Sequence, residues 1–315
     1  LRVPLDFDAW VQRRQTRLDA HMDGGVPDYA FALDWELRRR LDAIAPLRML
    51  AEALTAGTVP VQRALHEIKG VAVGPKQFPQ LHRMGVQCAD RLGIGVPQLF
   101  VIHDPSPNAF TFATGHVDQL IVLTSGLIDA LDEEELLYVV GHESGHIHNK
   151  HVVYNTAWEL LTNDVARRIL VMAMRMLGPA GWLLSLFNAA LTAGSWYVFG
   201  RWHRCAEITC DRAGLICSGN LDAAMRVNGK LHLGAIGDLK GFDSDQYKQQ
   251  ARTWGNSWLR ILELTMSHPP GPKRTDAIER FARCDVYGAW RPEVDRTSLQ
   301  STRSEVDDEI RGFLI

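Results

Sequence analysis

LDEEELLYVVGHESGHIHNKH, residues 131 to 151, reads as one capped helix carrying two histidines and a glutamate at metal-binding spacing. Asp132 is placed to accept the first free backbone N–H groups, with Glu135 three residues on in capping-box position. Acidic residues crowd the first turn, where the helix dipole favours them. On a helix, positions i and i+4 share a face, so His142 and His146 stand side by side and can close on one ion. Glu143 leans over the same face, placed to take a proton from a water on that ion. A chance HExxH is expected only roughly 0.02 times in a chain with this His and Glu content. The spacing predicts helix onward to about Arg168.

Three protein ligands and an open fourth position make a catalytic zinc. The third is expected in RWHRCAEITCDRAG, residues 201–214, where Glu207 and Asp211 are again spaced i, i+4. Glu207 is the candidate ligand; Asp211 is the candidate acceptor for the outer N–H of a zinc-bound histidine, which sets tautomer and ring orientation. Ala206, Cys210, Ala213 and Gly214 are small enough to let this helix approach the first closely. On spacing alone the pair reads equally as a solvated acidic face. His203, one turn before Glu207, is a weaker candidate. His148 and His151 fall at about 240° and 180° from His142 by helical rotation, on the face away from the ion, and read as structural or exposed.

The surrounding chain narrows the class. It has 315 residues, 46% hydrophobic and 23% charged, which is an ordinary globular composition able to build its own core. The net charge of −3, with no long basic run, argues against a nucleic-acid partner. Cys88, Cys205, Cys210, Cys217 and Cys284 form no CxxC pair and read as buried small hydrophobes in a reducing compartment, with a cysteine metal cluster the lesser alternative. LRVPLDFDAWVQRRQTRLDAHM lacks an apolar run of signal-peptide length, although a chain opening on Leu1 leaves a trimmed leader open. Helical spacing marks residues 7–22 and 34–57; GTVPVQRALHEIKGVAVGPKQFP, residues 57–79, reads as a Gly/Pro-containing link. LHRMGVQCADRLGIG is an amphipathic helix closed by glycine. PQLFVIH is a strand, and PNAFTFATGHVDQLIVLT two strands turning near Gly115. The expected division is an N-terminal helical region (1–70), a metallopeptidase domain (71–290) and a C-terminal tail (291–315).

In order along the chain, PNAFTFATG, LIVLTSGLIDAL, DEEELLYVVGHESGHI, RCAEITCDRAG and SHPPGPKR resemble the zinc endopeptidase family that includes bacterial HtpX and the CAAX prenyl endopeptidases. The resemblance spans roughly residues 75 to 285. It implies an α+β, mainly helical gluzincin fold with a small β-sheet lining the cleft. It also implies one Zn2+ per chain on His142, His146 and Glu207, with Asp211 behind them. Substrate backbone would add to the edge at Asn108, Ala109 and Phe110. His268 would reach the site from the C-terminal side to stabilise the oxyanion, its bland alternative being a turn or cap residue before Pro269 and Pro270. Arg274 is as readily a structural anchor as a catalytic group.

The members of that family named above are membrane-embedded, and residues 176–200, MLGPAGWLLSLFNAALTAGSWYVFG, carry no charge. A single crossing would put His146 and Glu207 on opposite sides of a bilayer, where they could not share an ion. Two crossings need about 40 apolar residues, more than the stretch from Ile169 to Gly200 contains. The segment is therefore expected to be a buried helix or pair, or an apolar flap touching a membrane surface. The expectation is a cytoplasmic zinc metalloendopeptidase that cuts internal peptide bonds of a polypeptide substrate with Glu143 as general base. The apolar segment is expected to pack beside the active site, with peripheral membrane contact through residues 176–200 the lesser alternative. The alternative is a non-catalytic or latent zinc protein binding unfolded or membrane-associated polypeptides, its cleft covered by a terminal segment. Nothing in the sequence fixes the oligomeric state.

Overall fold

The computed structural model describes residues 19–114, 117–155, 199–234, 243–252, 263, 266 and 268–314. A short hairpin, β1 (Met22–Asp23) and β2 (Val26–Pro27), precedes α1 (Ala32–Asp42) and α2 (Ala45–Lys69). Then follow β3 (Gly70–Ala72), α3 (Pro79–Leu92), β4 (Gln98–Ile102), β5 (Ala109–Thr114), β6 (Val117–Thr124), α4 (Ser125–Ala130) and α5 (Glu133–His148). After the undescribed interval come α6 (199–218), α7 (Leu221–His232), α8 (Ser244–Arg252), α9 (Gly271–Ala282), α10 (Asp285–Trp290) and α11 (Arg303–Phe313). The architecture is α+β and mainly helical, with a small four-stranded sheet besides the β1–β2 hairpin among the described residues, as the resemblance implies.

The sheet order is β3-β4-β6-β5. β4 and β6 run parallel, and β3 and β5 pair antiparallel to them. Strand side chains alternate between faces, and here each face has its own partner. Leu99, Val101, Ile121 and Leu123 enter the main core with residues of α3 and α5. Phe100, Phe112, Leu120 and Val122 form a second cluster on the other face, with Phe110 packed against it and His66 of α2 stacked on Phe112. That outer packing explains a difference from the sequence expectation. Residues 57–69, expected as a link, are helical, and Pro60 lies inside α2. The backbone bond lost at Pro60 is outweighed by laying the helix on the aromatic face.

α3 ends at Gly93, whose φ of 74° is the left-handed conformation glycine takes at a helix C-terminus. α5 begins as expected, with the Asp132–Glu135 capping box formed in both directions. It stops at His148, a break within the helical character expected to about Arg168; residues 156–168 of that expectation lie outside the described residues. Lys150 turns at φ 56° and a separate helical turn starts at 152. Of the helix expected over 7–22, residues 1–18 lie outside the described residues and Met22–Asp23 is strand.

Both chain ends join one core. Tyr29, Phe31, Leu33, Leu37 and Leu41 pack in the same cluster as Val306, Ile310 and Leu314. The buried guanidinium of Arg212 binds Asp307 Oδ1 at 2.6 Å and the Tyr29 carbonyl at 3.1 Å, tying α6 to both termini. Among the described residues, no helix is long and apolar enough to cross a membrane. Of the apolar segment 176–200, all but residues 199–200 lie outside the described residues; Phe199 is fully buried at the start of α6.

Candidate metal centre and active site

α5 and α6 meet through small residues. A Cβ on Gly145 would come within 2.7 Å of Ala213 Cβ, and one on Gly141 within 2.6 Å of Cys217 Cβ. Only hydrogen at these positions allows the approach. It sets Glu207, on α6, directly across from the α5 histidines. His142 Nε2 lies 3.6 Å from Glu207 Oε2, and His146 Nε2 lies 3.4 Å from Glu207 Oε1. Ligands at 2.0–2.1 Å in tetrahedral array stand about 3.3–3.4 Å apart, so this donor set fits a zinc-sized ion.

Among the described residues, the groupings whose ligand atoms all lie within 4.8 Å of one another are His142, His146 and Cys210, and His203, Glu207 and His268; Glu207 joins the α5 histidines through its separate distances to each. Cys210 is fully buried, with Sγ 3.5 Å from His151 Nδ1. Burial, then the carboxylate of Glu207, pushes its thiol far above the usual value, so it stays protonated. It does not line the cleft, and neither does His146, whereas His142 and Glu207 do. All five cysteines are buried and free.

Behind the ligands lies a charge-matched layer. Asp211 Oδ1 lies 3.0 Å from His142 Nδ1 and accepts from the Tyr138 hydroxyl at 2.8 Å. Arg274, from α9, donates to both Asp211 oxygens and lies 3.4 Å from Glu207 Oε2. Burial alone would raise the carboxyl of Asp211, but the Arg274 guanidinium holds it below its ordinary value. Glu207 follows the same logic. Burial opposes its charge, yet His268 and His146 hold its carboxyl well below the usual range, so it is ionised. Burial acts to lower His146, and its contact with Glu207 reverses this to a net rise.

The cleft beyond has a volume of about 560 Å³ and is lined by Asn108, Ala109, His142, Glu143, Glu207 and His268, among others. Glu143 Oε2 accepts from the Thr111 hydroxyl at 2.5 Å, which pins the carboxylate against β5. β5 is the edge strand next to the site. Asn108 and Ala109 reach the cleft, but the Phe110 side chain turns to the opposite face, against Phe112 and His66. His268 Nδ1 lies 2.9 Å from Glu207 Oε2, and α9 starts without a side-chain cap, so His268 is not a cap residue.

Sequence reasoning missed Thr111 and Tyr138. Each had a signal: Tyr138 stands four residues before His142 on the same helical face, and Thr111 shares the Ala109 face of an alternating strand. His151 differs more. The helical-wheel position assigned to it does not apply, because α5 ends before it. The turn at Lys150 brings its ring back to 5.5 Å from that of His146.

Peptidase family M48 matches residues 75–282, two thirds of the chain, and the chain belongs to that family. It is a metallopeptidase, with a metal implied by its family and polypeptides as substrates. It is 28% identical over 286 residues to plastoglobule-localized metallopeptidase 48 of Arabidopsis thaliana, covering 88% of this chain and 78% of the relative. A protein named protease HtpX homolog from Bordetella petrii is 39% identical over 211 residues, covering 62% of this chain and 68% of its own. Ste24p of S. mikatae superposes with a TM-score of 0.46 at 16% identity, covering 77% of this chain and 58% of that one.

Proposed function

We propose that this chain cuts internal peptide bonds with one zinc ion held by His142, His146 and Glu207. The observation that carries this is the convergence of two imidazole nitrogens and a buried carboxylate at ligand spacing, beside a cleft that His142, Glu143 and Glu207 line. Bound zinc supplies a Lewis acid and lowers the pKa of water there to about 7. The Glu143 carboxylate, held by Thr111, takes the proton of the attacking water and returns it to the leaving amine. Substrate backbone docks along β5 at Asn108, Ala109 and Phe110, through main-chain groups in the case of Phe110. His268, with both ring nitrogens protonated, would donate Nδ1–H to Glu207 and Nε2–H to the oxyanion. Asp211 and Arg274 hold His142 and Glu207 in place.

Residues 71–290, the proposed peptidase unit, carry all of these groups. The described parts of the termini line none of the cleft, and a glutamate retained in the base position speaks against a purely binding protein. The setting we propose is cytoplasmic and peripheral to a membrane, through residues 176–200. A relative named for its place at plastoglobules supports the peripheral part of that setting and not the cytoplasmic part, since its name also places it in the chloroplast.

The test is zinc content and cleavage of unfolded casein, native against Glu143→Gln. Stoichiometric zinc in both, with cleavage only by the native chain and a loss of at least ~100-fold in the variant, is the expected result. Zinc-free preparations of both would remove the mechanism; equal cleavage would remove Glu143 from it.

A further inference from the structure

The far side of His146 carries a polar assembly that the roles above leave unused. A histidine that binds an ion through Nε2 carries its proton on Nδ1 and needs an acceptor there. Asp211 serves His142 in this way. Among the described residues, no carboxylate reaches His146 Nδ1. Instead, His151 Nδ1 lies 3.3 Å from it, and His151 Nε2 lies 3.0 Å from Asp34 Oδ2. The same carboxylate oxygen accepts from the Thr209 hydroxyl at 2.6 Å. Asp34, His151 and Thr209 are all buried. Asp34 belongs to α1, outside the residues matched by the family.

The proton inventory has one consistent arrangement. A carboxylate only accepts, so the His151 proton sits on Nε2 and points at Asp34. His151 Nδ1 is then a lone pair facing His146 Nδ1–H. The Cys210 thiol, 3.5 Å from His151 Nδ1, is a weak donor that does not displace this bond. Asn155 is the competitor. Its Nδ2 lies 3.2 Å from His146 Nδ1 and its Oδ1 has no partner, so an amide turned end for end would offer a second acceptor. Only the path through His151 ends on a buried charge.

We infer that Asp34 and His151 are positioning residues of the metal centre: Asp34 sets the His151 tautomer, and His151 accepts the Nδ1–H of His146, committing His146 Nε2 to the ion. The inference rests on the ligand set proposed above. It makes α1 part of the metal site, although that helix lies outside the peptidase family match and lines none of the cleft.

The test loads the full chain with zinc and follows its release to an excess of chelator, alongside the melting temperature. Relative to native, His151→Phe should release zinc about tenfold faster or more, Asp34→Asn less so in the same direction because an amide still accepts, and Asn155→Ala within about twofold. Native release rates from folded Asp34→Asn and His151→Phe overturn the inference, as does faster release from Asn155→Ala alone. Should a variant not fold, nitrogen-15 shifts of labelled histidine in the zinc-loaded native chain decide the matter. A proton on His151 Nε2 and on His146 Nδ1 is expected, and a proton on His151 Nδ1 is the contrary result. A native chain that retains no zinc removes this inference and the proposed ligand set together; retention with indifferent variants removes this one alone.

Discussion

At the scale of single residues, the site is a problem of buried charge. Asp211 and Glu207 are fully ionised carboxylates in the interior, and Arg274 is the cation that reaches both. Removing one partner of a buried pair leaves the other uncompensated, typically at about 3–5 kcal/mol. Arg274→Ala is therefore expected to lower the urea midpoint by that order and to release metal. Arg274→Lys should recover only part, because an ammonium cannot reproduce a two-point grip. A variant as stable as the native chain would show that Arg274 is dispensable. His148 gives a different signature. Burial pushes its imidazole down to about 4, and its Nδ1 lies 2.9 Å from the Tyr29 hydroxyl. That hydroxyl also accepts from Asn149, so its proton points at a neutral His148. The unfolded chain takes up this proton near pH 6.5 and the folded chain only near 4, so the unfolded state binds more protons in between. Stability attributable to this group is complete above pH 6.5 and is lost as the pH falls toward 4, by at most about 3 kcal/mol. Urea midpoints across that window should fall more steeply for the native chain than for His148→Gln. Identical slopes would remove His148 from the acid response.

At the scale of elements, the decisive contact is α5 against α6. Gly141 and Gly145 present no side chain to Cys210, Ala213, Gly214 and Cys217, and so the ligands on the two helices come within bonding reach of one ion. In an isolated helix, alanine for glycine would stabilise by up to ~1 kcal/mol. Here the added methyl overlaps side-chain and backbone atoms, at about 1–3 kcal/mol for overpacking. Gly145→Ala is accordingly expected to lower the melting temperature and to weaken zinc retention, since the helices must separate where Glu207 faces His146. An increase in melting temperature would mean the packing is slack. Much of this element pair was legible beforehand, because i, i+4 spacing and small-residue patterning are local properties of one helix. The continuation of α2 through Pro60 was not legible. A proline is a local breaker, and the aromatic sheet face that outweighs it is formed by residues 100–122.

At the scale of the whole molecule, the chain ends are structural parts of the catalytic body. Tyr29, Phe31, Leu33, Leu37 and Leu41 are buried in the main core, each contributing on the order of 1.5–3 kcal/mol. Their sum rivals the entire stability of a domain, about 5–15 kcal/mol. Deleting residues 1–44 should therefore yield a chain that does not fold, with no casein cleavage. A gain in cleavage would instead mean that the N-terminal region acts as a removable cover.

What the sequence by itself determined is the chemistry that fits inside one or two helical turns. The capped helix, the His142–Glu143–His146 face and the short strands between residues 98 and 124 follow from fixed backbone periods; for Glu207 and Asp211 the period supplies only a shared face, and their metal role is what the family resemblance implies. What only the tertiary structure decided is which separate faces meet. Thr111 reaches Glu143 across 32 residues, and Asp34 reaches His151 across 117. The second contact exists because α5 ends at His148 and Lys150 reverses the chain, while a hydrophobic core places α1 against that reversal. Periodicity describes a helix only as far as the helix runs; beyond its last turn, packing chooses the partners.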